Sequence, residues 1–248
     1  MTQSWIRLSK PGEDALRLFC FPYSGGMAQV FRPFTRLLPQ GVGVYAFELP
    51  GRGRRFTDTP LTSISAMVKE VLNGMIPLHG HNSIFFGHSL GGILAFELAR
   101  ELRRQSLPMP RHLFVSGMRA PHISRREGKI YNLPDDAFIG KLMEMGGTPG
   151  EILENKEMLA LVLPSLRKDF EAYDTYIHTP EFPLPCPITA FGGTLDTFVT
   201  ADDIKQWSIH TKLIFASQMF DGDHFFINER FTEIAATVSK ALALMQPR

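Results

Sequence analysis

A chain of 248 residues is long enough for one well-filled core and short for two full domains. With 44% hydrophobic and 21% charged residues, it has the make-up of an ordinary globular protein, not of a disordered or collagen-like one. Against 25 Asp plus Glu stand 26 Lys plus Arg, a formal charge of +1, so no net pull toward nucleic acid or an anionic membrane surface is expected.

The two cysteines, Cys20 and Cys186, each lie in an apolar run and read as small buried hydrophobes. A disulfide framework or a metal-binding cysteine pair is not indicated. The start, MTQSWIRLSKPGED, lacks a basic stretch followed by an apolar one, so no signal peptide is expected. No apolar run approaches the roughly 18 residues that span a bilayer. The expected protein is cytoplasmic and monomeric.

In chain order, residues 16–23 (LRLFCFPY) read as a buried strand and 42–49 (VGVYAFEL) as the next. Residues 64–76 place Ile64, Met67, Val68, Val71, Leu72 and Met75 at the spacing of one helix face. A third strand, 83–87 (SIFFG), runs straight toward Ser89, and 91–104 is rich in helix formers without proline. Further strands are expected at 113–116, 187–191 and 212–216, and a final helix over 225–245. The strands are nearly continuous apolar runs, which suits a parallel sheet covered by helices on both faces.

Between about 121 and 180 no strand is evident, while 139–145 and 158–163 look helical. A stretch of that length is an inserted substructure and not a loop. Ligands in open α/β sheets bind at the carboxyl ends of the strands, so the insertion reads as a helical lid over that edge. Its apolar residues Phe138, Ile139, Leu142, Met143 and Met145 either line a pocket under the lid or pack the helix, packing being the expectation for most.

Gly87-His88-Ser89-Leu90-Gly91 fits Gly-x-Ser-x-Gly between an apolar strand and a long helix. A serine at such a tight turn presents its hydroxyl, and side chains two positions either way would clash, hence the glycines. Serine needs a base. Of the eight histidines, His224 stands just after the last strand, where the chain order Ser, Asp, His requires it. Asp196, after the strand 187–191, is the expected acid, with Asp202 and Asp203 as runners-up that read better as a helix start. The oxyanion would be met by the backbone N–H of Leu90 and one from the Gly-rich turn after the first strand, Ser24 first and Tyr23 second. Tyr23, Gly25 and Phe225 are expected at the substrate.

Four segments together resemble the stand-alone type II thioesterases of non-ribosomal peptide and polyketide synthetases. They are Phe21-Pro22-Tyr23-Ser24-Gly25-Gly26, Leu49-Pro50-Gly51-Arg52-Gly53-Arg54, Gly87-His88-Ser89-Leu90-Gly91-Gly92 and Gly222-Asp223-His224-Phe225-Phe226. Leu166-Arg167-Lys168-Asp169-Phe170 resembles a further segment of that family. Tyr23-Ser24 stands where the family usually has His-Ala. The resemblance implies an α/β-hydrolase fold, with a mostly parallel central sheet and a helical lid insertion. It also implies hydrolysis of acyl groups from the phosphopantetheine arm of an acyl or peptidyl carrier protein, as removal of wrong or stalled acyl groups, without a cofactor. Arg52, Arg54 and Arg55 either meet acidic or phosphate groups of the carrier or hold their own loop. The alternatives are a carboxylesterase, a chain-terminating fatty-acyl thioesterase, or an inactive hydrolase fold used as a binding module.

Overall fold

The computed structural model describes residues 4–12, 15–76, 78–147 and 155–245. In chain order its strands and helices are β1 (Trp5–Arg7), β2 (Arg17–Phe21), α1 (Phe34–Leu37), β3 (Gly43–Phe47), α2 (Ile64–Met75), β4 (Ser83–His88), α3 (Leu90–Arg104) and β5 (Leu113–Ser116). Then follow α4 (Asp135–Met145), α5 (Lys156–Asp174), β6 (Ile188–Gly193), α6 (Ala201–Lys205), β7 (Phe215–Phe220), α7 (Phe226–Glu229) and α8 (Phe231–Ala243). The strands form one sheet in the order β1-β3-β2-β4-β5-β6-β7, in which every pairing is parallel except β1 with β3.

The sheet is buried on both faces, which is why its strands read as unbroken apolar runs. Along β2, Phe19 and Phe21 point to the side covered by α2 and α3, and Leu18 and Cys20 to the side covered by α8. Helix α2 buries the six apolar positions picked out by its periodicity, and Ser63 caps its start by accepting from the Ala66 amide at 3.3 Å. Each such side chain taken fully from water is worth about 1.5–3 kcal/mol. Cys20 and Cys186 are free and buried, and burial pushes the Cys186 thiol up to about 12. Among the described residues no helix is long and apolar enough to cross a membrane.

Three elements differ from the sequence reading. Strand β1 has three residues, too few to show a pattern, and borrows its hydrogen bonds from β3. The last strand occupies Phe215–Phe220 and not 212–216, with Leu213 and Ile214 exposed before it. It is an edge strand whose middle positions face solvent, so Ser217 and Gln218 belong to it although an apolar-run criterion skips them. The terminal helix is two helices, interrupted at Arg230, where ψ turns to 22°.

The long stretch between β5 and β6 carries α4 and α5, and no strand among its described residues. Residues 148–154 lie outside them. A small core of its own, with Ile130, Phe138, Leu142, Leu166 and Phe170, holds the two helices together.

Candidate active site

Strand β4 runs directly into Ser89, which joins it to α3 with φ 53° and ψ −121°, a conformation that a non-glycine residue rarely adopts. The glycines around it are dictated by backbone. A β-carbon at Gly87 would lie 2.0 Å from the Gly91 carbonyl oxygen, and one at Gly91 would lie 2.0 Å from that of Phe21. The Ser89 amide donates to the Ser116 carbonyl at 2.8 Å and anchors the turn on β5.

His224 follows β7, at the same edge of the sheet. Its Nε2 lies 3.0 Å from Ser89 Oγ, and its Nδ1–H donates to Asp196 Oδ2 at 2.8 Å. Asp196 follows β6, and its other oxygen accepts the amides of Phe198 and Val199 at 2.8 and 3.0 Å. That leaves the carboxylate buried, hydrogen-bonded at both oxygens and aimed at the imidazole. Gly193 lets the two loops meet, since a β-carbon there would lie 2.3 Å from the Asp223 carbonyl oxygen.

The competing groups are engaged elsewhere. Asp202 is exposed and pairs with Lys205. Asp203 closes a capping box with Thr200 and takes both nitrogens of Arg126. His88 points away from the serine hydroxyl, with Nδ1 2.9 Å from Ser116 Oγ, and its ring backs His224 at 5.6 Å. Burial, with the nearby His224, keeps its basicity far below that of an ordinary histidine. His122, His178 and His210 gather into a separate cluster, His122 Nδ1 lying 2.9 Å from His210 Nε2.

Leu90 opens α3, where a helix leaves its first amides without intrahelical acceptors. Ser24 lies in the turn closed by the Gly26 amide on the Tyr23 carbonyl at 2.8 Å. Among the described residues neither the Leu90 nor the Ser24 amide has an acceptor. Both residues, with Ser89 and His224, line a cavity of about 420 Å³. Tyr23 and Phe225 line it too, their rings edge to face at 5.0 Å. Gly25 does not: at φ 75° it turns toward α5, where a β-carbon would lie 2.9 Å from Leu166 Cδ1. Gly25, expected at the substrate, has its amide and its open face against the helix.

The walls come largely from the insertion. Leu142, Met145, Leu166 and Phe170 line the cavity, whereas Phe138 is buried beneath it against Phe170 and Met143 is exposed. Arg119, which the sequence reading passed over, also lines it and is nearly fully buried. It donates to the Phe198 carbonyl at 2.6 Å and to Glu127 at 2.9 Å, bracing the backbone beside Asp196. A larger groove of about 640 Å³ between α2, α3 and the end of α5 is lined by none of Ser89, Asp196 and His224.

The arginines after β3 divide. Arg52 is buried and makes two bonds to Asp169, at 2.6 and 2.7 Å. Arg55 is buried between Asp58, Glu70 and the Glu48 carbonyl. Both hold their loop, and Arg54 alone of the three is exposed.

A serine at a strained strand-to-helix turn, with a histidine and a buried carboxylate in line behind it on a mostly parallel sheet, defines a hydrolase of the α/β type. The chain belongs to the thioesterase family, whose thioesterase-domain model matches residues 16–242, and it is a hydrolase acting on thioesters. It is 40% identical to the gramicidin S biosynthesis protein GrsT of Aneurinibacillus migulanus over 93% of this chain and 90% of the relative. It is 35% identical to the thioesterase PikA5 of Streptomyces venezuelae, over 96% and 85%. Among solved structures it is similar to the type II thioesterase BorB of the borrelidin biosynthetic cluster, with TM-score 0.88, 30% identity, and 96% and 97% of the two chains covered. It is likewise similar to YbtT, the type II thioesterase of a yersiniabactin pathway, with TM-score 0.84, 27% identity, and 96% and 97% covered.

Proposed function

We propose that the chain is an editing thioesterase that hydrolyses acyl groups from the phosphopantetheine arm of carrier proteins in non-ribosomal peptide or polyketide assembly. The observation that carries the reading is the line of hydrogen bonds from Ser89 through His224 to Asp196, of which Ser89 and His224 line the cavity. The pathway is supported by the relatives, which are named for gramicidin S, borrelidin and yersiniabactin biosynthesis.

In this reading His224 Nε2 takes the Ser89 proton as Oγ attacks the thioester carbonyl. The unpartnered amides of Leu90 and Ser24 receive the oxyanion. The pantetheine thiol leaves with the proton from His224. Water, deprotonated by the same nitrogen, then releases the acid and restores the serine. Asp196 keeps the Nδ1–H tautomer and stabilises the imidazolium at each step. The insertion acts as a lid whose inner face receives the acyl chain. These steps draw only on groups of the chain and on water, so we expect no cofactor.

The test is deacylation of a carrier protein loaded with a short acyl group, followed by intact mass with wild type and Ser89→Ala. Release by wild type alone supports the reading. Hydrolysis of a simple oxygen ester with no release from the carrier would move the function to a carboxylesterase.

A further inference from the structure

Three segments singled out in the sequence meet at one carboxylate. Asp169, on α5, is almost fully buried, and three N–H groups converge on its two oxygens. Arg52 Nη2 donates to Oδ1 at 2.7 Å, and Arg52 Nη1 and the Gly25 amide donate to Oδ2 at 2.6 and 2.8 Å. Leu166, one turn earlier on the same face of α5, packs against Gly25. Ser165 does the same at Gly51, where a β-carbon would lie 3.0 Å from its own. One helix of the insertion is thus fastened to the loops at the carboxyl ends of both β2 and β3.

The fastening lies next to the reacting atoms. Gly25 is the third residue of the turn Tyr23–Gly26, and Ser24 is the second. The Ser24 N–H shares its peptide plane with the Tyr23 carbonyl, which the Gly26 amide holds, and fixing the Gly25 amide holds the following plane, so Ser24 is clamped between two fixed peptide units. Among the described residues the Ser24 amide has no protein acceptor, and Ser24 lines the cavity.

We propose that Asp169 is a positioning residue for oxyanion stabilisation: by holding the Gly25 amide it aims the Ser24 N–H, and because it rides on α5, the second oxyanion donor is in place only when that helix is docked. This rests on the reading of Ser24 as a donor. A carboxylate is required, since an asparagine has one acceptor oxygen for three donors and would turn its own NH2 toward Arg52 or Gly25. The insertion is then part of the catalytic machinery as well as a wall, and a closed site and a competent site become the same state.

The experiment uses the N-acetylcysteamine thioester of a short acyl group, which needs no carrier contact, with wild type, Asp169→Asn and Gly25→Ala. Gly25→Ala places a β-carbon against Leu166 at a positive φ while leaving the Arg52–Asp169 pair intact, so it tests the aim of the turn even if Asp169→Asn does not fold. Fluorophosphonate titration counts working sites. A trifluoromethyl ketone, which adds Ser89 Oγ and becomes an oxyanion, reports the donors directly. The expected result is a fall in kcat per titrated site of about 10- to 100-fold, a matching rise in the ketone's inhibition constant, and a KM within about threefold of wild type. If both variants keep kcat per site and ketone affinity within about threefold, Asp169 serves only packing and the proposal is overturned. A wild type with no titratable serine overturns the serine-hydrolase reading itself and this proposal with it. Activity on the small thioester with none on a loaded carrier overturns the carrier alone and leaves the proposal standing.

Discussion

Gly147, just beyond the end of α4, lies so close to the Phe225 ring that a β-carbon there would fall 1.9 Å from Cζ. The Phe225 ring in turn packs edge-on against His224 at 5.1 Å. The insertion therefore presses on the neighbour of the base, and the absence of a side chain at Gly147 is what lets it sit there. Gly147→Val should drive Phe225 toward His224 and lower kcat/KM by about tenfold with a smaller loss of thermal stability. Steady-state rates beside a melting curve check this, and unchanged rates would show that the ring has free space to move.

Ser89→Ala should remove turnover, by about 10⁴-fold or more, while the circular dichroism spectrum and melting temperature stay near wild type. The lost hydroxyl makes one hydrogen bond, to His224, and supports no packing. Retained turnover in a folded variant would take Ser89 out of the nucleophile's place.

Asp196→Asn keeps the shape of the acid and changes its chemistry. Its NH2 would face either the His224 Nδ1–H or the amides of Phe198 and Val199, all donors at present. The imidazole should flip to the wrong tautomer, and kcat should fall by about 10³- to 10⁴-fold. A single-turnover acylation assay measures it directly, and a loss below tenfold would mean that the carboxylate is not needed for orientation.

Gly91→Ala should harm the fold before the chemistry. Its β-carbon would lie 2.0 Å from the backbone oxygen of Phe21, and backbone cannot rotate away as a side chain can. A loss of about 2 kcal/mol or more is expected, lowering the melting temperature by about 5 °C or more. A melting curve that superimposes on wild type would refute the crowding.

Stability should fall as the solution is acidified from neutrality. Burial, then the facing His122, His178 and Arg100, lower His210 to about 3, whereas in the unfolded chain it titrates near 6.5. Between those values the unfolded state binds the proton and the folded state does not, so unfolding free energy rises with pH and is lost as pH falls through that window. Burial also lowers His112 to about 4, which adds to the same trend. Chemical denaturation at several pH values between about 7 and 4 should show this slope, and His210→Gln should flatten it. An equal slope in the variant would exclude His210 as a source.

Much of the site was legible in the order of residues because its parts are local. The tight turn at Ser89 needs glycines at fixed offsets, and the backbone clashes at Gly87 and Gly91 are the physical form of that pattern. The positions of Asp196 and His224 after late strands follow from chain order on a parallel sheet, which puts every strand's carboxyl end on one edge. The continuous apolar strands and the periodic face of α2 fixed the layers in the same way.

Local order along the chain thus sets the sheet, the strand-to-helix serine, and the histidine and acid that chain order sends to the same edge. Where charges and edges end up depends on packing between distant segments. Nothing in Leu49–Arg54 says that Arg52 will leave solvent and that Arg54 will not. The difference arises because Asp169, 117 positions away, supplies two oxygens to one of them. Nor does Phe21–Gly26 say that α5 will take the Gly25 amide. Strand β7 lost its polar centre to the apolar-run criterion because an edge strand need bury only part of itself. Pairings across such distances depend on which surfaces the packed helices bring together, and no local spacing encodes them.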